Sequence, residues 1–367
     1  MSAIQHIFRN MGPAYLARYG GRMPAVHKKV MRAVMECRTG AFGMAQYGCE
    51  KCGATHELDC ACGNRHCPAC QIDKAERWLE AQVNKLLPCN YFLLTLTLPD
   101  ELRQVVRSNQ RMAYAAMFSC AYESLKKLAN DKRFIGSPRI GMLGALHTWG
   151  GQLQYHPHLH LIVPAGALAM DGQRWLPSRQ DLFVHTKPLA RIFTAKFRDA
   201  MDKAGLLDFI EPSVWRREWV IDSQAVGNGQ TSLRYLARYV FRVAISNNRI
   251  VSWDEHSVTF TYKDKEAGKW KKMTLDAMEF IRRFLQHVLP TGFMKIRHFG
   301  FLNANCKVPL EKIRELIHML HDVIGKLLQP KKPSMRVNAK LKCSKCGGCM
   351  NMLRFIIPAR AKGLSPG

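Results

Sequence analysis

Acidic residues are scarce in this chain. Asp and Glu number 28 against 55 Lys and Arg in 367 residues, a formal charge of +27 with a pI near 9.8. Long apolar runs are also lacking: residues 91–98 are broken by threonines and strand-sized, against the ~18 uninterrupted apolar residues needed to cross a bilayer. The first residues, Met-Ser-Ala-Ile-Gln-His, hold no basic-then-apolar leader. Neither a membrane-embedded nor an exported protein is expected from these absences. Internal repeats and low-complexity tracts are missing too. A composition of 47% hydrophobic and 23% charged residues belongs to a folded chain of two or three domains.

The positive charge covers the main body of the chain and is densest in its tail. Residues 1–80 hold 11 basic and 7 acidic side chains (+4), residues 81–300 hold 31 and 18 (+13), and residues 301–367 hold 13 and 3 (+10). Such an excess repels itself unless a polyanion is near. Phosphate neutralisation with counterion release rewards that distribution, so nucleic acid leads over an anionic membrane as the expected partner.

Thirteen cysteines without an export signal are free thiols or metal ligands in a reducing compartment. Cys49-Glu-Lys-Cys52 and Cys67-Pro-Ala-Cys70 are two Cys-x2-Cys pairs separated by 14 residues, close to zinc-ribbon spacing. Four thiolates make a closed tetrahedral site, which is structural. Cys49, Cys52, Cys67 and Cys70 are therefore the expected ligands of one structural Zn2+. His56, Cys60, Cys62 and His66 lie between the pairs as substitutes or as a second set. Cys343, Cys346 and Cys349 offer three thiols and no evident fourth ligand, between a metal site and unligated thiols. Cys37, Cys89, Cys120 and Cys306 read as small core residues.

Apolar spacing predicts helices over residues 71–87, 100–132, 188–204, 232–245, 275–288 and 309–328. Strands are predicted at 91–98, 139–148, 159–163 and 213–221, with a hairpin at 249–253 and 258–262. Strands and helices mixed without strict alternation give an α+β fold with a mostly antiparallel sheet and flanking helices, preceded by a small zinc-binding module. The expected division is a zinc-binding domain at 1–88, a catalytic domain at 89–300 and a basic helix with a cysteine tail at 301–367.

Two patterns carry chemistry. In His156-Pro157-His158-Leu159-His160, alternate residues of a strand share a face, so His158 and His160 form a preformed half-site for a divalent ion, which His156 joins if Pro157 leaves the strand straight. In Tyr235-Leu-Ala-Arg-Tyr239 the two phenols are four apart on a helix and project together. Arg234, Arg238 and Arg242 recur beside them and suit phosphate. Taken alone, such a tyrosine pair belongs more often in a core. Beside a histidine-held metal and a +27 chain it fits phenolic attack on a metal-polarised phosphodiester.

At these residues the sequence resembles the two-tyrosine HUH transposases of the insertion sequence 91 family, HUH denoting His–hydrophobic–His. The resemblance runs in order from Asn64-Arg65-His66-Cys67 through His156–His160 and Val163-Pro164 to Tyr235-Leu-Ala-Arg-Tyr239, then to Phe280-Ile-Arg-Arg-Phe284 and Ile296-Arg-His-Phe-Gly300. Ala165-Gly166-Ala167 replaces a frequent glycine run, and Phe241 stands where many members have His. The resemblance implies an HUH-nuclease-like fold and rolling-circle transposition. Mg2+ or Mn2+ would sit on His158 and His160, with His156 or Gln152 as third ligand. Tyr235 and Tyr239 would be the nucleophiles, forming 5′-phosphotyrosine links. The substrate would be single-stranded or locally melted DNA at element ends and target, in a bacterial cytoplasm at the nucleoid. A replication initiator or relaxase of the same chemistry is one alternative, and a non-catalytic zinc-containing DNA-binding protein is another.

Overall fold

A computed structural model describes residues 2–234, 244–264, 267–324 and 341–358. In chain order its helices are α1 (Ala3–Tyr19), α2 (Ala25–Glu36), α3 (Ile72–Val83), α4 (Arg103–Ser108), α5 (Gln110–Ala129), α6 (Thr186–Lys203), α7 (Ala277–Leu285) and α8 (Leu310–Ile324). The first strands are β1 (Met44–Cys49), β2 (Thr55–Asp59), β3 (Tyr91–Thr97), β4 (Gly141–Trp149), β5 (Tyr155–Pro164), β6 (Gly166–Leu168) and β7 (Trp175–Pro177). β8 (Ile221–Ala225), β9 (Ile250–Trp253), β10 (Ser257–Lys263), β11 (Trp270–Asp276), β12 (Ile296–Gly300) and β13 (Met350–Ile356) follow. The fold is α+β with antiparallel sheets. Among the described residues no helix is long and apolar enough to cross a membrane.

The chain forms two compact units. One combines Met1–Lys74, Ile245–Val288 and Lys331–Gly367, and the other Ala75–Ala244 and Leu289–Pro330. Residues 245–288, which sequence order alone keeps with the central segment, thus pack with the N-terminal helices. Aromatic contacts supply the reason: Phe8 of α1 meets Phe284 of α7 edge-on at 5.0 Å, and His6 stacks on Trp253 of β9. β9, β10 and β11 form a meander, and α7 follows β11 directly. The Asp276 carboxylate starts that helix by accepting from the amides of Met278 (2.9 Å) and Glu279 (3.1 Å). Two orphan donors of the first turn are satisfied this way, so Asp276→Ala should cost about 1 kcal/mol of stability. Equilibrium urea unfolding checks this, and an unchanged midpoint would count against the cap.

The other unit is built on a five-stranded sheet of order β12-β4-β5-β3-β8, every neighbour antiparallel. Strand periodicity decides what each face carries. On one face Leu159, Leu161 and Val163 of β5 join Leu94 and Leu96 of β3 beneath Tyr114 and Phe118 of α5 and Phe193 and Phe197 of α6. Each fully buried leucine there contributes roughly 1.5–3 kcal/mol. The opposite face presents Leu93, Leu143, Ala145 and Ile162 to Trp78 and Leu79 of α3 and to Ile313, Leu316 and Ile317 of α8. Those three α8 residues sit at i, i+3 and i+4, the helical spacing that makes one apolar stripe. Leu233, in the helical stretch 230–234, is buried in the same cluster.

Several predicted elements change form. The helix expected over 100–132 is a 3-10 turn at Asp100–Leu102 followed by α4 and α5, with Asn109 between them outside helical geometry. The strand expected at 213–221 is a 3-10 turn starting at Pro212, and the sheet strand is β8. Trp219 there fills the surface of α6, 5.7 Å from Phe193 and 5.8 Å from Phe197, so its apolar alternation serves a helix contact rather than a ladder.

Candidate metal centre

β4 and β5 are consecutive antiparallel strands at the middle of the sheet. Their register sets His147 opposite His158 and Ala145 opposite His160. His158 and His160 share a face by strand alternation, as the sequence predicted. The third imidazole is His147 from the neighbouring strand: ligand nitrogens of His147, His158 and His160 lie within 4.8 Å of one another. Ring centroids are 4.5 Å apart for His147–His160, 5.0 Å for His158–His160 and 5.3 Å for His147–His158. A register shift between His147 and Trp149 ends the regular pairing at this point, and Trp149 stacks on His147 at 4.9 Å. Lys295 lies over the Trp149 ring.

The neighbours of these imidazoles favour metal binding. The Nδ1 of His158 is 2.8 Å from the His156 carbonyl oxygen, which only accepts; Nδ1 therefore donates, and the neutral ring carries its lone pair on Nε2. The Nδ1 of His160 lies 3.2 Å from the Thr95 hydroxyl, and Thr95 is its register partner on β3. Burial, with the neighbouring His158 second, lowers the pKa of His160 to about 3. Its imidazole is neutral at physiological pH, the state a cation requires. Three nitrogen donors in a mostly buried cluster fit a divalent ion with further positions left for oxygen ligands.

His156, expected as a third member, has its ring 5.3 Å from that of His158 but is not among the nitrogens gathered within 4.8 Å of one another. Its Nδ1 accepts from Arg103 at 3.0 Å, and Arg103 also pairs with Asp100. Arg103 thus claims the nitrogen lone pair that a metal would use. Gln152 lies in the turn between β4 and β5, where its amide donates to Gln154. His147 was missed because nothing in the string Leu-Gly-Ala-Leu-His marks it. The available signal was pairing: folding β4 against β5 across residues 150–154 sets position 147 opposite 158.

Tyr235, Tyr239, Arg238 and Arg242 lie outside the described residues. Arg234 ends the described helical stretch and is exposed, while Leu233 beside it is buried against Ala145 and Ile162.

The four cysteines expected around one ion separate into two clusters. Cys67 and Cys70 gather with Cys37 and Cys62, and Cys49 and Cys52 gather with Cys343 and Cys346. Cys37, read from sequence as a core residue, is fully buried, and its sulfur is 3.6 Å from that of Cys70. The first pair parts from the second because β1, which ends at Cys49, pairs with β13 and so meets the C-terminal cysteines. All thirteen thiols are free of disulfides.

Comparison with known proteins defines the class: the chain is a transposase with an N-terminal zinc-binding domain. A family model described as putative transposase matches residues 141–309, which include all three clustered histidines. A model described as transposase zinc-binding domain matches residues 7–98. The chain is 37% identical over 337 residues to the putative transposase y4qJ of Sinorhizobium fredii, covering 86% of this chain and 84% of that protein. It is 30% identical over 328 residues to the transposase for insertion sequence element IS801 of Pseudomonas savastanoi pv. phaseolicola, covering 83% and 77%. No solved structure matches. The chain belongs to the insertion sequence 91 family of transposases.

Proposed function

We propose that this transposase cuts and rejoins single strands of DNA through 5′-phosphotyrosine links, with Tyr235 and Tyr239 as the two nucleophiles, in rolling-circle transposition. The observation that carries the reading is the cluster of His147, His158 and His160 on one sheet face, with Leu233 buried in the apolar cluster of that same face. Leu233 precedes Tyr235 by two residues. The helical stretch that leads to the tyrosines is therefore anchored on the face that bears the histidines.

In this reading His147, His158 and His160 hold Mg2+ or Mn2+. Magnesium prefers oxygen donors, so an all-imidazole set sides with manganese of the two. When bound, the cation supplies Lewis-acid polarisation of the scissile phosphate. The chain's own residues do the rest. One phenol loses its proton, its oxygen attacks phosphorus, and the bond from phosphorus to the 3′ oxygen breaks. The departing 3′ oxygen takes up a proton, and the 5′ phosphate stays on the tyrosine. A 3′ hydroxyl attacking that link reverses the step and joins strands. The phosphoester is conserved throughout, so no nucleotide hydrolysis is required. Arg234, Arg238 and Arg242 grip backbone phosphates, and the +27 charge favours a polyanionic substrate. Single-stranded or locally melted DNA fits because an extruded phosphodiester reaches the site without a duplex partner.

The test is transfer of an end-labelled DNA strand to protein in the presence of Mn2+. Wild-type protein is expected to form a denaturation-resistant adduct, reduced in Tyr235→Phe or Tyr239→Phe and absent in the double variant. An adduct that persists in the double variant would remove both tyrosines from the nucleophile role.

A further inference from the structure

Family matching places the zinc-binding domain within residues 7–98, yet one of the two cysteine clusters draws half its members from the far end of the chain. We propose that Cys49, Cys52, Cys343 and Cys346 form a second zinc site, separate from that of Cys37, Cys62, Cys67 and Cys70, which fastens the C-terminal strand β13 to the N-terminal module.

The two halves are the same device built twice. Cys49-Glu-Lys-Cys52-Gly53 and Cys343-Ser-Lys-Cys346-Gly347 share the pattern Cys-x-Lys-Cys-Gly. In each, the glycine has φ +68° and its amide donates to the carbonyl of the first cysteine, at 3.0 Å for Gly53 and 2.9 Å for Gly347. In each, the first cysteine's amide donates to the residue five positions on, Ala54 at 2.9 Å and Gly348 at 2.8 Å. This is the turn that converges two thiolates on one cation, and the left-handed glycine makes it possible.

The halves face each other at metal-site distances. The Cys49 and Cys346 sulfurs are 3.4 Å apart and those of Cys52 and Cys343 are 3.7 Å apart. A zinc ion bonded to four thiolates at 2.3 Å sets its sulfurs roughly 3.8 Å from one another, so the cluster already has the size of a tetrahedral site. Gly348 leaves room for it: a Cβ there would sit 3.1 Å from the Cys49 sulfur and 3.3 Å from that of Cys346. The amide of Glu50 reaches across to the Cys349 carbonyl, and β13 pairs with β1 from Met350 to Ile356.

Apolar burial cannot hold this strand in place. The cluster around the cysteines consists of Cys49, Cys343 and Met350 with Tyr47, Ala54 and Cys346 at its border, whereas Met352, Leu353 and Phe355 are exposed. A core that small needs a metal to hold it. The 16 residues at 325–340, outside the described set, separate α8 from the second turn and carry a run of basic side chains. The zinc would thus fix the C-terminal end of that basic segment, which makes the C-terminal turn a structural part of the N-terminal module.

Full-length protein purified without chelator is expected to carry two zinc ions per chain by elemental analysis. Cys343→Ser/Cys346→Ser should carry one and Cys349→Ser two. One ion in the parent, or two in the Cys343→Ser/Cys346→Ser variant, overturns the proposal. A measurement on the parent covers the case in which that variant misfolds. Stepwise chelation, alkylation and peptide mapping should expose Cys49, Cys52, Cys343 and Cys346 as one block, with amide exchange over 350–356 rising in the same step. Alkylation of Cys343 and Cys346 while Cys49 and Cys52 are still shielded would also overturn it.

Discussion

Replacing His158 and His160 together with alanine is expected to lower metal-dependent strand cleavage by on the order of 10³-fold. In the proposed site both imidazoles come from β5 and His147 from β4, so losing two of the three nitrogens would leave too few donors to retain an ion. His147→Ala alone should cost on the order of 10–100-fold or more, since the remaining pair is still a half-site. A readout independent of catalysis separates a lost ion from a lost fold. An ion binding only the folded state raises stability by about 2.7 kcal/mol at a hundred times its dissociation constant. Wild-type protein should therefore melt at a higher temperature in Mn2+, and the double variant should not respond. Cleavage within tenfold of wild type in the double variant, with the manganese response intact, would remove these histidines from the metal site. His156→Ala should leave the manganese response unchanged, because that ring is engaged by Arg103.

Gly300→Ala is expected to lower the unfolding free energy by about 2–5 kcal/mol. Gly300 ends β12 opposite Gly141 of β4, with φ +57°. A Cβ there would overlap the carbonyl oxygen of Ile140, and it would stand 2.9 Å from the Tyr122 hydroxyl. The left-handed backbone alone costs a non-glycine residue roughly 1 kcal/mol. Overlap with a backbone atom is worse than overlap with a side-chain tip, because relief requires β12 to withdraw from β4. That strand also carries His147, so cleavage should fall with stability. Urea unfolding of the variant measures the loss, and a change below about 0.5 kcal/mol would mean that the strand end relaxes freely.

The histidine strand shows how far local pattern reaches. Alternation along residues 156–160 is a property of any extended chain, so the shared face of His158 and His160 was legible without coordinates. The same rule placed His156 on that face and said nothing of Arg103, which arrives from a helix 53 positions away and occupies its nitrogen. The cysteines repeat the lesson. Both Cys-x2-Cys turns of the N-terminal segment were evident, and each does converge two sulfurs. Joining them to each other followed from their nearness in sequence. The structure pairs them instead with Cys37 and Cys62 in one case and with Cys343 and Cys346 in the other.

Composition, turn chemistry and periodicity belong to the sequence by itself: the basic excess, the knuckles at Cys49 and Cys67, the imidazole pair on β5 and the family to which the chain belongs. The knuckles and the imidazole pair arise from residues within a few positions of one another, where covalent geometry fixes the outcome, while the charge and the family need only the order and count of residues. Tertiary structure alone decided which separate pieces complete a site. His147 reached the cluster through strand register, and Cys343 and Cys346 reached Cys49 and Cys52 through the pairing of β13 with β1. Long-range pairing depends on which surfaces bury and hydrogen-bond each other, a property of the whole chain that no local window contains.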